Sequence, residues 1–301
     1  MQQPPAQARS GWWFVLATLA IWIGFILVSR AGGRGVLTGW DVAALRFGTG
    51  GLIALAFLPR VSLPPLRTTL LFSLFGGVIY ACCVYTGFRL APAAHAAILL
   101  PGALPFATAF IAWTWLGQKP NGGQRRALLW VLAGILLTAA DTLAHGPQLT
   151  GRQIAGDLLF LCGASSWATF TLLLRRHPVP PLTATVATAI GAAALYLPVW
   201  WLFLPSTLSV APLDEILMQA IYQGVLVVFI AMLLYAQAVR HLGAQTVALS
   251  MAVVPGVAAL AAVPLLGEPL SLLALTGLAA VTGGALLGAR AAPRPGGGAP
   301  V

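Results

Sequence analysis

Few side chains in this sequence can do chemistry, so each can be weighed. Arg46 stands alone inside an apolar run. A guanidinium there must face protein or water, where it could draw a carboxylate-bearing solute or simply gate or lock packing. Asp41 lies five residues earlier, about 140° round a helix, and is no natural partner for it. His95 sits near the end of another apolar run, with Gln245 later in a matching context. An imidazole can carry or sense a proton near neutral pH, but it can equally rest at a membrane interface. Tyr80, Tyr85, Tyr235, Gln223 and Gln237 add hydroxyls and amides to apolar surroundings. There they contact a solute or hydrogen-bond across helices. Trp22 and Trp167 each precede a Phe by three residues, a spacing that puts both rings on one helical face.

Hydrolytic machinery is not legible. The chain has no HExxH, no GxSxG, no paired Asp and no phosphate-binding loop. Ser165-Ser166 could serve as nucleophiles, but no base is spaced to activate them. Cys82, Cys83 and Cys162 lie in apolar runs without metal spacing and read as small apolar side chains. Neither a metal nor a cofactor is expected.

Composition says what must position these residues. Of 301 residues 59% are hydrophobic and 7% charged, and mean hydropathy is +0.91. A soluble domain carries about 25% charged residues because its surface meets water. Lipid is therefore the solvent for most of this exterior. Backbone polar groups in lipid must pair internally, which leaves helices or closed barrels. The apolar runs are roughly 18–24 residues long and apolar all round, which suits tilted helices rather than short alternating strands.

Ten such runs are expected, near 11–29, 40–58, 68–88, 93–116, 125–141, 155–174, 183–203, 217–239, 244–266 and 270–289. Pro and Gly clusters separate them, and the tail after 290 is expected to be disordered. The first run is read as a retained span, since no small-x-small cleavage site follows it. The formal charge of +10 is carried by cations scattered at run ends, a membrane-surface pattern with no nucleic-acid patch. With the N-terminus inside, eleven cations from Arg9 to Arg294 face the cytoplasm, and only Arg30, Arg34, Arg89 and Arg152 face outward. The six acids fall near the outer side. The expectation is a multi-pass protein of a bacterial inner membrane with both termini cytoplasmic.

The chain also repeats itself. Tyr85, Pro105 and Gly117 recur at the same spacing as Tyr235, Pro255 and Gly267, and Gly11, Trp22, Phe25 and Arg30 recur as Gly156, Trp167, Phe170 and Arg175. Each copy, 11–142 and 153–290, holds five runs. An odd number makes the second copy enter the membrane upside down, as in many secondary transporters. The fold expected is all-α: ten transmembrane helices as a 5+5 inverted repeat.

These two stretches resemble the EamA-type repeat of the drug/metabolite transporter superfamily. Its hallmark is a small-residue-rich span with a mid-span Pro, ending in Leu-Gly-Glu. Leu266-Gly267-Glu268 matches that ending, Leu116-Gly117-Gln118 departs from it, and Trp22-Ile23-Gly24-Phe25 and Leu45-Arg46-Phe47 resemble other parts of the repeat. The resemblance covers residues 11–290. It implies a secondary transporter, commonly an exporter of amino acids, related metabolites or toxic compounds, with spans three, four, eight and nine bordering a central cavity.

On that view Tyr80, Tyr85, His95, Trp22, Trp167, Gln223, Tyr235, Gln237 and Gln245 are the solute-contact candidates. Arg46, Pro105, Pro255 and Glu268 are structural or gating candidates; the prolines each remove one helical hydrogen bond and could serve as hinges. The small face of Ala280, Gly284 and Gly288 marks close helix contact within the fold or in a dimer. Expected partners are a small-molecule solute and membrane lipid, not nucleic acid, with the chain a monomer or a homodimer. The competing class is an intramembrane enzyme acting on lipid or peptide.

Overall fold

The computed structural model describes residues 5–117, 119–144 and 147–291, without the side chains of residues 5–9, 105, 112, 116, 147–150, 244, 245, 248, 289 and 291; the tail expected to be disordered lies almost wholly outside the described residues. All regular structure among them is helical. Among the described residues nine helical stretches are long and apolar enough to cross a membrane: α1 Ser10–Arg34, α2 Gly39–Arg60, α3 Leu66–Leu90, α4 Ala93–Trp115, α5 Gly122–Ala144, α6 Gly151–Arg176, α7 Pro181–Phe203, α8 Leu213–Leu242 and α9 Leu249–Leu266. The tenth expected span is occupied by a further apolar helix, α10, Leu272–Ala291.

Large apolar side chains stay exposed along these helices, among them Trp13, Leu52, Leu136, Trp201 and Leu272. In water such a surface would aggregate; here it is the lipid-facing coat. Inside, helices approach through small residues. A Cβ on Gly134 of α5 would press against Val281 Cγ2 and sit 2.7 Å from the Gly277 carbonyl oxygen of α10. Gly284 meets α5 in the same way, so this part of the small-residue face is used within the fold.

The packing partners include α5 with α10, α2 with α7, α4 with α9, α3 with α6, α1 with α8, α4 with α6, α1 with α9, α2 with α8 and α3 with α7. Two helices leave α-geometry. α3 widens into a π-helix at Leu74–Val78 and α8 at Ala220–Ile230. The span expected over 244–266 is broken: one helix ends at Met251 and the next begins at Val254. Pro255 supplies the reason, since it offers no N–H to the Met251 carbonyl and its ring would collide with that carbonyl. Pro105 sits inside the uninterrupted helix Ala93–Leu116.

Candidate functional site

The bundle has a near end, where α1 begins, and a far end, where α1 finishes. A cavity of about 560 Å³ lies between the helices, bounded by Trp22 and Phe25 of α1, Arg46 of α2, Tyr80 of α3, Trp167 and Phe170 of α6, and Tyr235 of α8. It reaches Val179 and Pro181 in the near-end connection between α6 and α7. Both sequence copies contribute walls. Trp22 stacks on Tyr235 with centroids 5.4 Å apart, and Tyr80 meets Trp167 at 5.1 Å. The π-helical stretch of α3 brings Gly76 and Gly77 to the wall. Local π-geometry of this kind recurs at functional sites because it re-aims side chains and loosens the carbonyl ladder.

Arg46 is the one charged residue in that lining. It is only 6% exposed, and its Nη1 donates to Tyr85 Oη at 3.1 Å. Among the described residues no carboxylate comes within ion-pair distance of it. A charge at the centre of a span costs about 2.5–3.5 kcal/mol on insertion scales, so an unpaired one implies water or a ligand. Tyr85 is buried behind it. Its hydroxyl donates to Gln223 Oε1 at 3.0 Å, and the Gln223 amide donates to Ser29 Oγ at 3.0 Å and Gln219 Oε1 at 3.1 Å. Gln219 continues to the Val28 carbonyl at 2.9 Å. This buried relay ties α2 and α3 to α1 and α8.

The far end is closed by charged contacts. Gly267, at φ 64°, ends α9 in the left-handed region, where its own N–H returns to the Val263 carbonyl at 3.1 Å. That turn aims Glu268 back at the bundle. Glu268 Oε1 accepts from Arg30 Nε at 2.5 Å and Oε2 accepts the Ala93 N–H at 2.8 Å. Glu215 accepts the Val36 and Leu37 N–H groups, both at 3.1 Å. Asp41 caps its own helix through a reciprocal pair with Thr38, and it also accepts from Ser206 Oγ at 2.6 Å and Trp200 Nε1 at 3.0 Å. The Thr38-x-x-Asp41 spacing is a helix-start signature that sequence reading could have used.

His95 belongs to this closed end and not to the cavity. Its ring is 1% exposed, with Nε2 3.0 Å from Asp141 Oδ2 and Nδ1 2.9 Å from Asp157 Oδ1. Thr142 Oγ1 donates to Asp157 Oδ2 at 2.8 Å, and Ser271 Oγ donates to Asp141. Each ring nitrogen thus faces a carboxylate oxygen, and Nε2 also lies 3.3 Å from the Gln153 amide nitrogen, so the cluster joins α4, α5 and α6. Among the described residues no group of three His, Cys, Asp or Glu is placed to hold a metal.

The remaining candidates divide. Trp22, Trp167, Tyr80 and Tyr235 face the cavity; Tyr85 and Gln223 stand one hydrogen bond behind Arg46; Glu268 is at the far-end closure. Gln237 is exposed and outside the lining. Pro255 is buried at the helix break, while the side chain of Gln245 lies outside the described residues. Ser165 and Ser166 donate to the carbonyls of Leu161 and Phe75.

Residues 9–140 and 154–289 both match the model of the EamA-like transporter family. The chain belongs to the EamA-like transporter family. It is accordingly a multi-pass membrane protein of a family that transports small solutes. A solved structure titled "Crystal structure of protein" shares the fold, with a TM-score of 0.62 and 23% identity over 93% of this chain and 96% of that one. Among curated protein sequences, none matches.

Proposed function

We propose that this EamA-like chain is a secondary transporter that exports a small, largely apolar metabolite across a bacterial inner membrane by alternating access. The observation that carries the reading is a cavity walled by both copies and reaching the near end, beneath a far end closed by Arg30–Glu268 and Asp41–Ser206 contacts. A site reachable from one side only is one half of an alternating-access cycle.

The reading takes the fold as ten spans in two five-helix repeats, 11–142 and 153–290, inserted in opposite senses. The packing supports it. Exchanging each helix with the one five places later leaves α5–α10, α2–α7 and α4–α9 unchanged, and it converts α1–α8 into α6–α3 and α1–α9 into α6–α4. Two copies related in this way can trade conformations, so a form closed at the far end has a counterpart closed at the near end. Cation placement supports a cytoplasmic near end, from which the cavity loads, and both termini on that side.

Reconstitution in liposomes tests this. Expected is counterflow of apolar or amphipathic metabolites, abolished when the far-end closure is cross-linked. Exclusive transport of sugar phosphates, or no flux of any compound in a broad metabolite panel, would sink the reading.

A further inference from the structure

We infer that the cavity binds organic monoanions, a single carboxylate on an aromatic or apolar body, with Arg46 as the carboxylate anchor. The inference rests on the transport reading for its purpose and names the chemistry of the same site.

The guanidinium carries five N–H donors in a planar fork that matches a carboxylate. Tyr85 takes one of them, and no described carboxylate neutralises the charge. Arg46 is also held in place in advance. Tyr85 gives its own proton to Gln223, so its oxygen presents a lone pair to Arg46, and Gln223 is itself fixed by Ser29 and Gln219. Tyr85 is 2% exposed, and Gln219 and Gln223 are 0% exposed, so this support does not reorganise when a ligand arrives. A rigid, unneutralised donor array beside a cavity is an anion site whose ordering cost has been met during folding.

The walls define the rest of the ligand. Trp22, Phe25, Tyr80, Trp167, Phe170 and Tyr235 offer ring faces and edges, and a volume of about 560 Å³ admits one or two fused rings with room for water. No acidic residue lines the cavity, so an ammonium group finds no counter-charge. Among the described residues there is also no second cation in the lining for a dianion. A monoanion is therefore preferred over a zwitterion, a cation or a polyanion of the same size.

The test uses four indoles of matched shape: indole-3-acetate, indole-3-acetamide, tryptophan and tryptamine. Each is titrated calorimetrically into the purified full-length chain in detergent, without any gradient. The acid should bind about tenfold or more tighter than the amide and tryptamine, with tryptophan between, since a desolvated charge-assisted pair far outweighs a neutral one. Arg46→Gln should bring the acid down to the affinity of the amide, while Arg46→Lys keeps part of the preference. Equal binding of acid and amide to the unaltered protein overturns the inference, as does no binding of any of the four, or an acid preference that survives Arg46→Gln. If Arg46→Gln fails to fold, the acid-to-amide ratio of the unaltered chain and of Arg46→Lys still decides. Absence of acid preference in the unaltered protein sinks this inference alone; binding without flux in liposomes sinks the transport reading alone.

Discussion

The Arg30 guanidinium and the Glu268 carboxylate meet at 2.5 Å, joining the last turn of α1 to the turn that precedes α10. The pair is largely shielded, with side-chain exposures of 15% and 11%, and Glu268 also receives the Ala93 N–H at the start of α4. One carboxylate thus holds three segments of the far end together, two from the first sequence copy and one from the second.

Glu268→Gln removes the charge and keeps the shape, so it should loosen this closure without unfolding the chain. A partly shielded ion pair contributes ~1 kcal/mol, enough to shift a two-state population about fivefold. The reporter is Leu37→Cys, a fully buried far-end position, with Cys82, Cys83 and Cys162 replaced. Its labelling by an impermeant maleimide should rise about fivefold; an unchanged rate would mean that Glu268 does not hold the far end shut.

His95→Ala would leave Asp141 and Asp157 without the imidazole they share. Removing one partner of a buried charged cluster costs about 3–5 kcal/mol, so a large fall in thermal stability in detergent is expected. Asp157→Asn keeps an acceptor beside Nδ1 and should cost less. Equal stability of His95→Ala and the unaltered protein would refute the assigned role.

Gly134→Ala should destabilise, because the new methyl lies against the Gly277 backbone as well as Val281, and backbone cannot rotate away. Overpacking of this kind costs about 1–3 kcal/mol. Gly256→Ala is the control, since nothing lies within 4 Å of its Cβ position. Similar melting temperatures for the two variants would contradict the close α5–α10 contact.

Pro255→Ala restores an N–H opposite the Met251 carbonyl and should let the helix run through the break at Ala252-Val253. Pro105→Ala acts within a helix that is already continuous. Pro255→Ala should therefore change liposome flux by several-fold and Pro105→Ala little. The reverse order would show that the break at 252–253 is not a hinge.

The sequence by itself determined the solvent, the helical architecture, nearly every span and the family, because each follows from local composition and repeated spacing. A charge content of 7% and runs of about 20 apolar residues leave few alternatives to membrane helices. Trp22 and Trp167 both line one cavity, as two equivalent positions of a duplicated chain can. The break at Ala252-Val253 within the ninth run was less legible, for Pro105 sits in the equivalent run of the first copy and that helix stays continuous.

Only the tertiary structure decided which polar groups meet. His95, Asp141 and Asp157 sit on three helices, and no local pattern joins them. Gln223 and Gln237 are similar side chains on one helix, yet one is buried behind Arg46 and the other faces outward. In a helix apolar all round, periodicity does not mark the face that turns inward, because lipid and protein interior are both apolar. Hydrogen-bond partners across helices depend on that rotation, which packing alone supplies.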